Sequence, residues 1–258
     1  MATFLFNDII FGPVKSRRLG VSLGVNLLPE DYKYCTYNCL YCECGWTLDS
    51  KTKVMLHSRE EIQQALEQQL IQMKAKGEAP DNITFAGNGE PTLHPDFASI
   101  INDTIALRNH YFPKALISVL SNATQIHKPK IIAALNKVDQ NILKLDSAID
   151  DTYLLINQPK TTMSVSTLVQ RLKVFKNNLS IQTLFIRGNY QRKHFDNTTE
   201  EEVSKWLKLI IEINPKNVMI YPVARDTPHA DLEKIESSTL QAIGKRVKDA
   251  GIEVYIYD

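Results

Sequence analysis

Strand-type and helix-type segments alternate along most of this chain. The run Ser-Arg-Glu-Glu at 58–61 has the form of a capping box and opens a helix that places Ile62, Leu66, Leu70 and Met73 on one face. Regular alternation of this kind is typical of βαβ units that build a parallel sheet. The predicted strands are 21–27, 82–86, 115–120, 141–145, 180–186, 217–221 and 252–256, and further helices lie near 95–109, 129–135, 166–175, 203–211 and 238–250.

The number of strands predicts the fold class. About six or seven parallel strands favour an α/β fold with an open, partial TIM-like barrel of the (β/α)6 type over a closed eight-stranded barrel. The 258 residues show no internal repeat, low-complexity segment or linker, so we expect one domain, 1–258. Chemistry in such folds gathers at the carboxyl ends of the strands. The loop at about 28–54, which follows the first of these strands, is therefore an expected part of the site.

Composition narrows the partners of the chain. Thirty basic and 29 acidic residues give a net charge of +1, which argues against a strongly basic surface for non-specific nucleic-acid binding. No apolar run approaches the roughly 20 residues that span a bilayer. Residues 1–11 lack the basic leader and cleavage site of a signal peptide. We therefore expect a cytoplasmic protein without a membrane partner.

All four cysteines, Cys35, Cys39, Cys42 and Cys44, fall within ten residues. This clustering favours a metal site, since a disulfide at these spacings would close only a very short loop. The first three have the spacing C-x3-C-x2-C, which suits a [4Fe–4S] cluster whose fourth iron has no protein ligand, as in catalytic metal sites. The alternative is a zinc site with Cys44 as fourth ligand. If a cluster binds here, we expect Cys44 to be a bystander thiol beside it.

Three segments carry a resemblance to a known family. Residues 12–24 have the form GPxxSRRLGxSLG, residues 35–42 the form CxxxCxYC, and residues 87–95 the form GxGEPTLHP. They resemble the radical S-adenosylmethionine (radical SAM) superfamily, and within it a subgroup of wyosine-type tRNA-modifying enzymes and uncharacterised Fe–S oxidoreductases. The resemblance implies a [4Fe–4S] cluster held by Cys35, Cys39 and Cys42, with S-adenosylmethionine (SAM) at the open iron. It also implies an electron donor such as flavodoxin or ferredoxin, and cleavage of SAM to a 5′-deoxyadenosyl radical.

The same resemblance assigns cofactor contacts at the strand ends. Gly89 and Glu90 match the family's glycine-rich segment that contacts the amino group of SAM, with Asn88 where many members have glycine. Glycine lets the backbone approach a ligand, and a carboxylate suits an ammonium group. Other candidate cofactor contacts at later strand ends are Ser121, Asn122, Lys144, Asp146, Tyr221 and Val223.

Several charged side chains have two interpretations. Lys144, Asp146 and Arg187 are candidate catalytic residues at predicted strand ends, but Lys144 and Asp146 could instead form a salt bridge at the barrel rim. Arg187 suits carboxylate or phosphate binding or a surface role. Arg17 and Arg18, just before the first parallel strand, are either anion-binding or solvated side chains of a hairpin.

The substrate class is narrower than the family's range. Wyosine-type enzymes carry a second cluster, and this sequence has no second cysteine group, so the resemblance implies a small single-cluster enzyme acting on a small molecule or a nucleobase, including one in tRNA. Two basic stretches, 127–130 and 187–194, suit RNA, with an aromatic residue in the second. The alternative function is a non-catalytic iron–sulfur protein in electron transfer or sensing.

Overall fold

A computed structural model describes residues 4–47, 54–161, 163–175 and 177–258. The part of the predicted cysteine-bearing loop at 48–53 lies outside the described residues. A short 3-10 helix covers Pro91–Leu93. The strands are β1 (Ile10–Ser16), β2 (Gly20–Val25), β3 (Asn82–Phe85), β4 (Leu116–Ser121), β5 (Gln140–Lys144), β6 (Ser180–Tyr190), β7 (Lys193–Asp196), β8 (Asn217–Pro222), β9 (Leu232–Lys234) and β10 (Val254–Ile256). The helices are α1 (Arg59–Ala75), α2 (Phe97–Tyr111), α3 (Pro129–Leu135), α4 (Asp150–Asn157), α5 (Val165–Leu172), α6 (Glu200–Ile213) and α7 (Ser237–Asp249).

The sheet is an open, parallel-dominated barrel. Its strand order is β1-β2-β3-β4-β5-β6-β8-β10, and every pairing from β2 to β10 is parallel. Strand β1 pairs with β2 in the antiparallel sense. Within the described ranges no pairing joins β1 to β10, so the sheet does not close. The predicted partial TIM-like barrel is confirmed, with seven parallel strands, one more than the (β/α)6 form.

Two features differ from the predicted pattern. Strand β6 does not end near residue 186 but continues to Tyr190, because β7 and β9 both pair with this extension. Arg187 therefore lies inside the strand, opposite Asp196 of β7, and not at its end. Strand β1 and helix α4 had no predicted counterpart.

The helices bury the faces that their sequence patterns indicate. The capping box of α1 is confirmed: the Glu61 backbone N–H donates to Ser58 Oγ (3.2 Å) and the Ser58 N–H donates to the Glu61 carboxylate (2.6 Å). In α6 the buried side includes Trp206, whereas Ile211 of the predicted apolar pattern is 51% exposed. No helix in the described part of the chain is long and apolar enough to cross a bilayer.

The two faces of the sheet differ in polarity. Thr183 of β6 faces α6, since its Oγ1 accepts a hydrogen bond from Trp206 Nε1 (3.1 Å). Side chains alternate along a strand, so Gln182 points to the opposite, concave face. The register places Lys144 of β5 beside Gln182. Tyr221 of β8 lies beside Leu184, which has the same parity as Gln182, so these polar side chains share the concave face.

A hydrogen-bonded layer of polar side chains covers the concave face toward the amino ends of the strands. Ser22 Oγ and Thr84 Oγ1 are 2.7 Å apart, and Thr84 Oγ1 donates to Asn82 Oδ1 (3.1 Å). Asn82 Nδ2 (3.1 Å) and Ser118 Oγ (2.5 Å) both donate to Gln140 Oε1. These side chains satisfy one another's hydrogen bonds, and the candidate site residues lie beyond them, toward the carboxyl ends of the strands.

Candidate functional site

Backbone hydrogen bonds fix the cysteine loop on two sides. On one side, Tyr34 N–H donates to the Asn88 carbonyl (2.8 Å) and Glu90 N–H donates to the Tyr34 carbonyl (3.1 Å), which ties the loop to the end of β3. On the other side, Asn38 N–H donates to the Asn157 carbonyl (3.1 Å) at the end of α4. The cysteines are thus held between the ends of β3 and α4.

The glycine-rich segment makes this close approach possible. Gly89 has a φ of +143°, and a Cβ there would lie 1.8 Å from the Tyr34 carbonyl oxygen. Asn88, where many members of the resembled family have glycine, is buried and binds backbone groups. Its Nδ2 donates to the carbonyls of Pro29 (2.8 Å) and Phe6 (2.9 Å), and its Oδ1 accepts from Phe6 N–H (2.9 Å). The missing side chain of Gly89 therefore lets the cysteine loop pack against the end of β3. Asn88 binds the backbone of Phe6 to this glycine-rich segment.

Two of the three motif thiols accept hydrogen bonds from amide groups. Cys35 Sγ accepts from Tyr37 N–H (3.4 Å) and from Asn122 Nδ2 (3.5 Å). Cys39 Sγ accepts from Asn157 Nδ2 (3.5 Å). Donors aimed at sulfur stabilise thiolates, and hydrogen bonds to the sulfurs help set the potential of iron–sulfur clusters. The surroundings of these thiols fit cluster ligands.

The arrangement of the thiols also bears on the kind of metal centre. In the described ranges, no group of three or more His, Cys, Asp or Glu side chains is placed to hold a single metal ion. In a cubane with three cysteine ligands, each thiolate binds a different iron. Cys35, Cys39 and Cys42 interact electrostatically and all lie near the amino group of Lys33.

Lys33 is a buried cation beside these thiols. Its side chain is 2% exposed, and its Nζ donates to the Gly45 carbonyl (2.9 Å). Burial alone would lower the pKa of Lys33, but the charges of Cys42, Cys35 and Cys39 outweigh it and raise the pKa. A cation held here offsets the negative charge that three thiolates bring into a buried site.

The three thiols differ in acidity. Burial raises the pKa of Cys35 to about 12, although Lys33 opposes it, and burial also raises the pKa of Cys39. A hydrogen bond from the Cys44 thiol, aided by Lys33, lowers the pKa of Cys42 to about 5 against the effect of burial. The Cys44 thiol and Lys33 therefore favour the thiolate form of Cys42. The Cys44 thiol also lies 3.4 Å from the Gly87 carbonyl.

This arrangement predicts a measurable role for Cys44. In metal-free Cys44→Ala the pKa of Cys42 should rise from about 5 toward its ordinary value of 9.0, so less of Cys42 is thiolate between these pH values. Because the thiolate is the nucleophile, alkylation of Cys42 by iodoacetamide at pH 7 should slow, as measured by mass spectrometry. Cys44→Ser keeps a hydrogen-bond donor and should preserve the rate. Equal rates in Cys44→Ala and wild type would contradict the assignment.

Glu90 joins the ends of β3 and β4. Its carboxylate, 1% exposed, accepts from Thr92 N–H (3.1 Å), Thr92 Oγ1, Ser121 Oγ (2.8 Å) and Asn122 N–H (2.7 Å). Burial raises the pKa of Glu90 despite these hydrogen bonds. Three of the four donors reach Oε1 and only one reaches Oε2, which keeps acceptor capacity on Oε2. The predicted cofactor contacts Glu90, Ser121 and Asn122 are thus brought together, next to Cys35.

Asp146 connects the end of β5 to the cysteine motif. Its side chain is fully buried; Oδ2 accepts from Tyr41 Oη and from Asn157 Nδ2 (2.7 Å), and Oδ1 accepts from Leu184 N–H (2.9 Å). Lys144 Nζ lies 3.7 Å from Oδ2. Tyr41 directly precedes Cys42 and Asn157 contacts Cys39, so Asp146 helps to fix two of the motif cysteines.

Lys144 and Tyr221 extend this cluster across the concave face. Lys144 Nζ donates to Tyr221 Oη (3.2 Å) and lies 5.0 Å from the centre of the Tyr41 ring. Burial would lower the pKa of Lys144, but Asp146, Tyr221 and Cys39 outweigh it and raise the pKa. The predicted salt bridge between Lys144 and Asp146 is present, and it lies inside the barrel beside the cysteine motif.

Removing the Asp146 carboxylate is expected to be strongly destabilising. Asp146→Ala leaves Lys144 without its carboxylate partner and removes the acceptor for Leu184 N–H, a class of change that costs about 3–5 kcal/mol. Equilibrium urea unfolding of the metal-free protein measures the difference. Asp249→Ala, which removes the partner of exposed Lys245, is the control and should change stability little. Equal unfolding curves for the two variants would contradict this account.

Two other predicted residues, Arg187 and Val223, lie outside the hydrogen-bonded part of this cluster. Arg187 pairs with Asp196 (3.6 Å) on the β6–β7 hairpin. Val223 packs on a small apolar group around Leu40 and Phe195. Among the described residues, Arg187 bonds to Asp196 of the hairpin, and Val223 reaches the site only through the apolar cluster that also includes Tyr41 and Tyr221.

Lys33, Asn157 and Gln182 were not predicted as site residues. Lys33 is separated from Cys35 by one residue and could have been noticed from its position. Asn157 lies in α4, far along the chain, and its contacts with Cys39 and Asp146 arise only from the fold. Gln182 accepts a hydrogen bond from Arg18 Nη1 (3.1 Å), which connects β6 to the β1–β2 turn.

The two basic stretches lie in different places. Residues 127–130 precede and begin α3. Residues 187–194 form most of the β6–β7 hairpin, whose Tyr190, Lys193 and His194 line a surface cavity of about 930 Å³. Asn38 lines the same cavity, so this opening adjoins the cysteine loop.

Comparison with known sequences gives one family. The sequence model described as the Radical SAM superfamily matches residues 30–189, which include the cysteine motif, Glu90 and Asp146. The GTPase Obg of Brachyspira hyodysenteriae is 29% identical over 241 residues, covering 92% of this chain and 33% of that protein. A UPF0026 protein of Methanocaldococcus jannaschii is 29% identical over 211 residues, covering 80% of this chain and 61% of that protein. The chain therefore spans less than two thirds of the length of either relative.

Solved structures share the fold. A radical SAM methyltransferase from Sphaerobacter thermophilus superposes with a TM-score of 0.68 at 13% identity, covering 92% of this chain and 65% of that chain. Archaeal TYW1 superposes with a TM-score of 0.55 at 14% identity, covering 89% of this chain and 72% of that chain. At these identities the likeness establishes the architecture, the open barrel described above.

Proposed function

The chain belongs to the Radical SAM superfamily, and from this premise we propose that it is an enzyme that reductively cleaves SAM at a single [4Fe–4S] cluster. Cys35, Cys39 and Cys42 hold three irons of the cluster, and SAM binds the fourth. The resulting 5′-deoxyadenosyl radical abstracts hydrogen from a small molecule or a nucleobase, including one in tRNA. This assignment treats the chain as one radical SAM domain.

One contact set carries the proposal. Asn122 Nδ2 lies 3.5 Å from Cys35 Sγ, while the Asn122 backbone N–H donates to the Glu90 carboxylate (2.7 Å). The proposed cluster ligands and the proposed cofactor segment are therefore adjacent, across the ends of β3 and β4. An iron–sulfur protein that only transfers electrons does not need a carboxylate such as Glu90 beside its cluster.

Different residues around the site have different proposed roles. When bound, the cluster supplies the electron that breaks a carbon–sulfur bond of SAM. Lys33 offsets the thiolate charge, and Asp146 fixes Tyr41 and Asn157 against the cysteine motif. Ser121, Asn122 and Glu90 form the proposed cofactor side, with Oε2 of Glu90 available for the amino group. Lys144 and Tyr221 face the concave side, where the substrate must lie close to the radical carbon.

The partners follow from the same chemistry. A one-electron donor such as flavodoxin or ferredoxin is required, and free thiols in a cysteine cluster suit the reducing cytoplasm. The basic β6–β7 hairpin and its neighbouring cavity support a nucleobase within RNA as one form of the substrate. This chain covers only 33% and 61% of the two relatives. The substrate proposal therefore concerns the barrel described here.

The test is anaerobic reconstitution with iron and sulfide, reduction with dithionite, and quantification of 5′-deoxyadenosine formed from SAM. We expect formation that depends on both reductant and cluster. A preparation with a full cluster and no 5′-deoxyadenosine would contradict the enzyme assignment and favour an electron-transfer or sensor protein.

A further inference from the structure

Arg18 reaches the concave face of the barrel from the turn between β1 and β2. Its Nη1 donates to Gln182 Oε1 of β6 (3.1 Å), and its guanidinium carbon lies 4.6 Å from the centre of the Tyr221 ring of β8. The side chain is half-buried. Its neighbour Arg17 is exposed and donates to the Asp258 carbonyl instead. The two adjacent arginines therefore have different surroundings.

The charge of Arg18 is not balanced locally. Lys144, on the other side of Tyr221, has the Asp146 carboxylate 3.7 Å away. In the part of the chain that the structure describes, no carboxylate lies within salt-bridge distance of Arg18. Gln182 occupies one of its five N–H donors, which leaves donors in a planar fork for a ligand.

This unbalanced charge lies near the proposed reaction site. Arg18 and Lys144 flank the same Tyr221 ring, one over its face and one at its hydroxyl. Lys144 also lies over the ring of Tyr41, which directly precedes Cys42. An anionic group held between Arg18 and Lys144 would therefore lie on the concave face, close to the cysteine motif.

We propose that Arg18, with Lys144 and Tyr221, binds a carboxylate or phosphate group of the substrate. The planar guanidinium fork matches the two oxygens of either anion, and the ammonium and phenol add donors from the opposite side. The identification of the anion as part of a substrate rests on the proposed function. It narrows the substrate class to anionic compounds: acids, phosphorylated small molecules or nucleotides.

The test uses inorganic phosphate as the probe and thermal unfolding of the reconstituted, anaerobic protein as the readout. A ligand that binds the folded state raises the unfolding midpoint in a concentration-dependent way. Wild type and Arg17→Gln should respond alike. Arg18→Gln should need about tenfold more phosphate or more for the same response, as loss of a charge-assisted hydrogen bond implies. Arg18→Lys should lie between them. An unchanged response in Arg18→Gln would overturn the proposal.

The anion could instead be the methionine carboxylate of SAM, and a second arm separates the two sources. Phosphate is titrated into wild type with saturating SAM. A response that persists supports a substrate site, and one that SAM abolishes overturns it. An Arg18-dependent phosphate response without any 5′-deoxyadenosine formation would remove the proposed function but keep the anion site. Cleavage of SAM without such a response would remove only the anion site.

Discussion

Cys39→Ala is expected to abolish both cluster assembly and SAM cleavage. Cys39 is the most buried of the cysteines, with 7% exposure, and its Sγ accepts a hydrogen bond from Asn157. With two motif thiolates left, the cubane loses one of its three protein ligands. We expect iron and sulfide contents near those of unreconstituted protein, no charge-transfer absorption, and 5′-deoxyadenosine below detection. Far-ultraviolet circular dichroism of the metal-free variant checks that the fold is retained.

Cys44→Ala is the matched control for this variant. Cys44 lies beside Cys42 and the Gly87 carbonyl, and it is not one of the three proposed ligands. We expect this variant to assemble a cluster and to form 5′-deoxyadenosine. Cleavage that survives in Cys39→Ala and disappears in Cys44→Ala would overturn the ligand assignment in favour of a set that includes Cys44.

Gly89→Ala is expected to separate the cysteine loop from the end of β3. The new Cβ would lie 1.8 Å from the Tyr34 carbonyl oxygen, a backbone atom that cannot rotate away, and the φ of +143° is strained for any side chain. Backbone strain and overpacking together should cost roughly 3 kcal/mol or more. Urea unfolding of the metal-free protein measures this loss, and cluster content after reconstitution should fall with it.

Gly77→Ala separates the effect of close approach from that of backbone conformation. Gly77 also has a positive φ, +70°, but a Cβ there meets no atom within 4 Å. Only the left-handed conformation is penalised, at about 1–2 kcal/mol. Cluster assembly should be unchanged in this variant. A stability loss as small in Gly89→Ala as in Gly77→Ala would contradict the proposed role of Gly89.

The elements with strong local signals were predictable. The capping box at Ser58 and the apolar spacing of α1 are short-range features, and the structure has both. Neighbouring parallel strands place their carboxyl ends at one edge of the sheet, which predicted that Glu90, Ser121 and Asn122 lie together. The structure has these contacts. The seven predicted strands correspond to the seven parallel strands of the sheet.

The rest depended on contacts between distant segments. The length of β6 is set by its pairing with β7 and β9, so Arg187 could not be placed from its own sequence. Helix α4 is short, and the role of Asn157 arises from the fold that brings it to Cys39. Arg18 had two interpretations until the β1–β2 turn was seen to reach Gln182 and Tyr221.

The central claim is that Cys35, Cys39 and Cys42 leave one iron open and that SAM binds it. Electron paramagnetic resonance of the dithionite-reduced cluster, recorded with and without SAM, tests this most directly, because a ligand bound to iron changes the g-values of the cluster. The account predicts that saturating SAM shifts the spectrum of wild type. An identical spectrum with saturating SAM, in a protein with a full cluster, would contradict it.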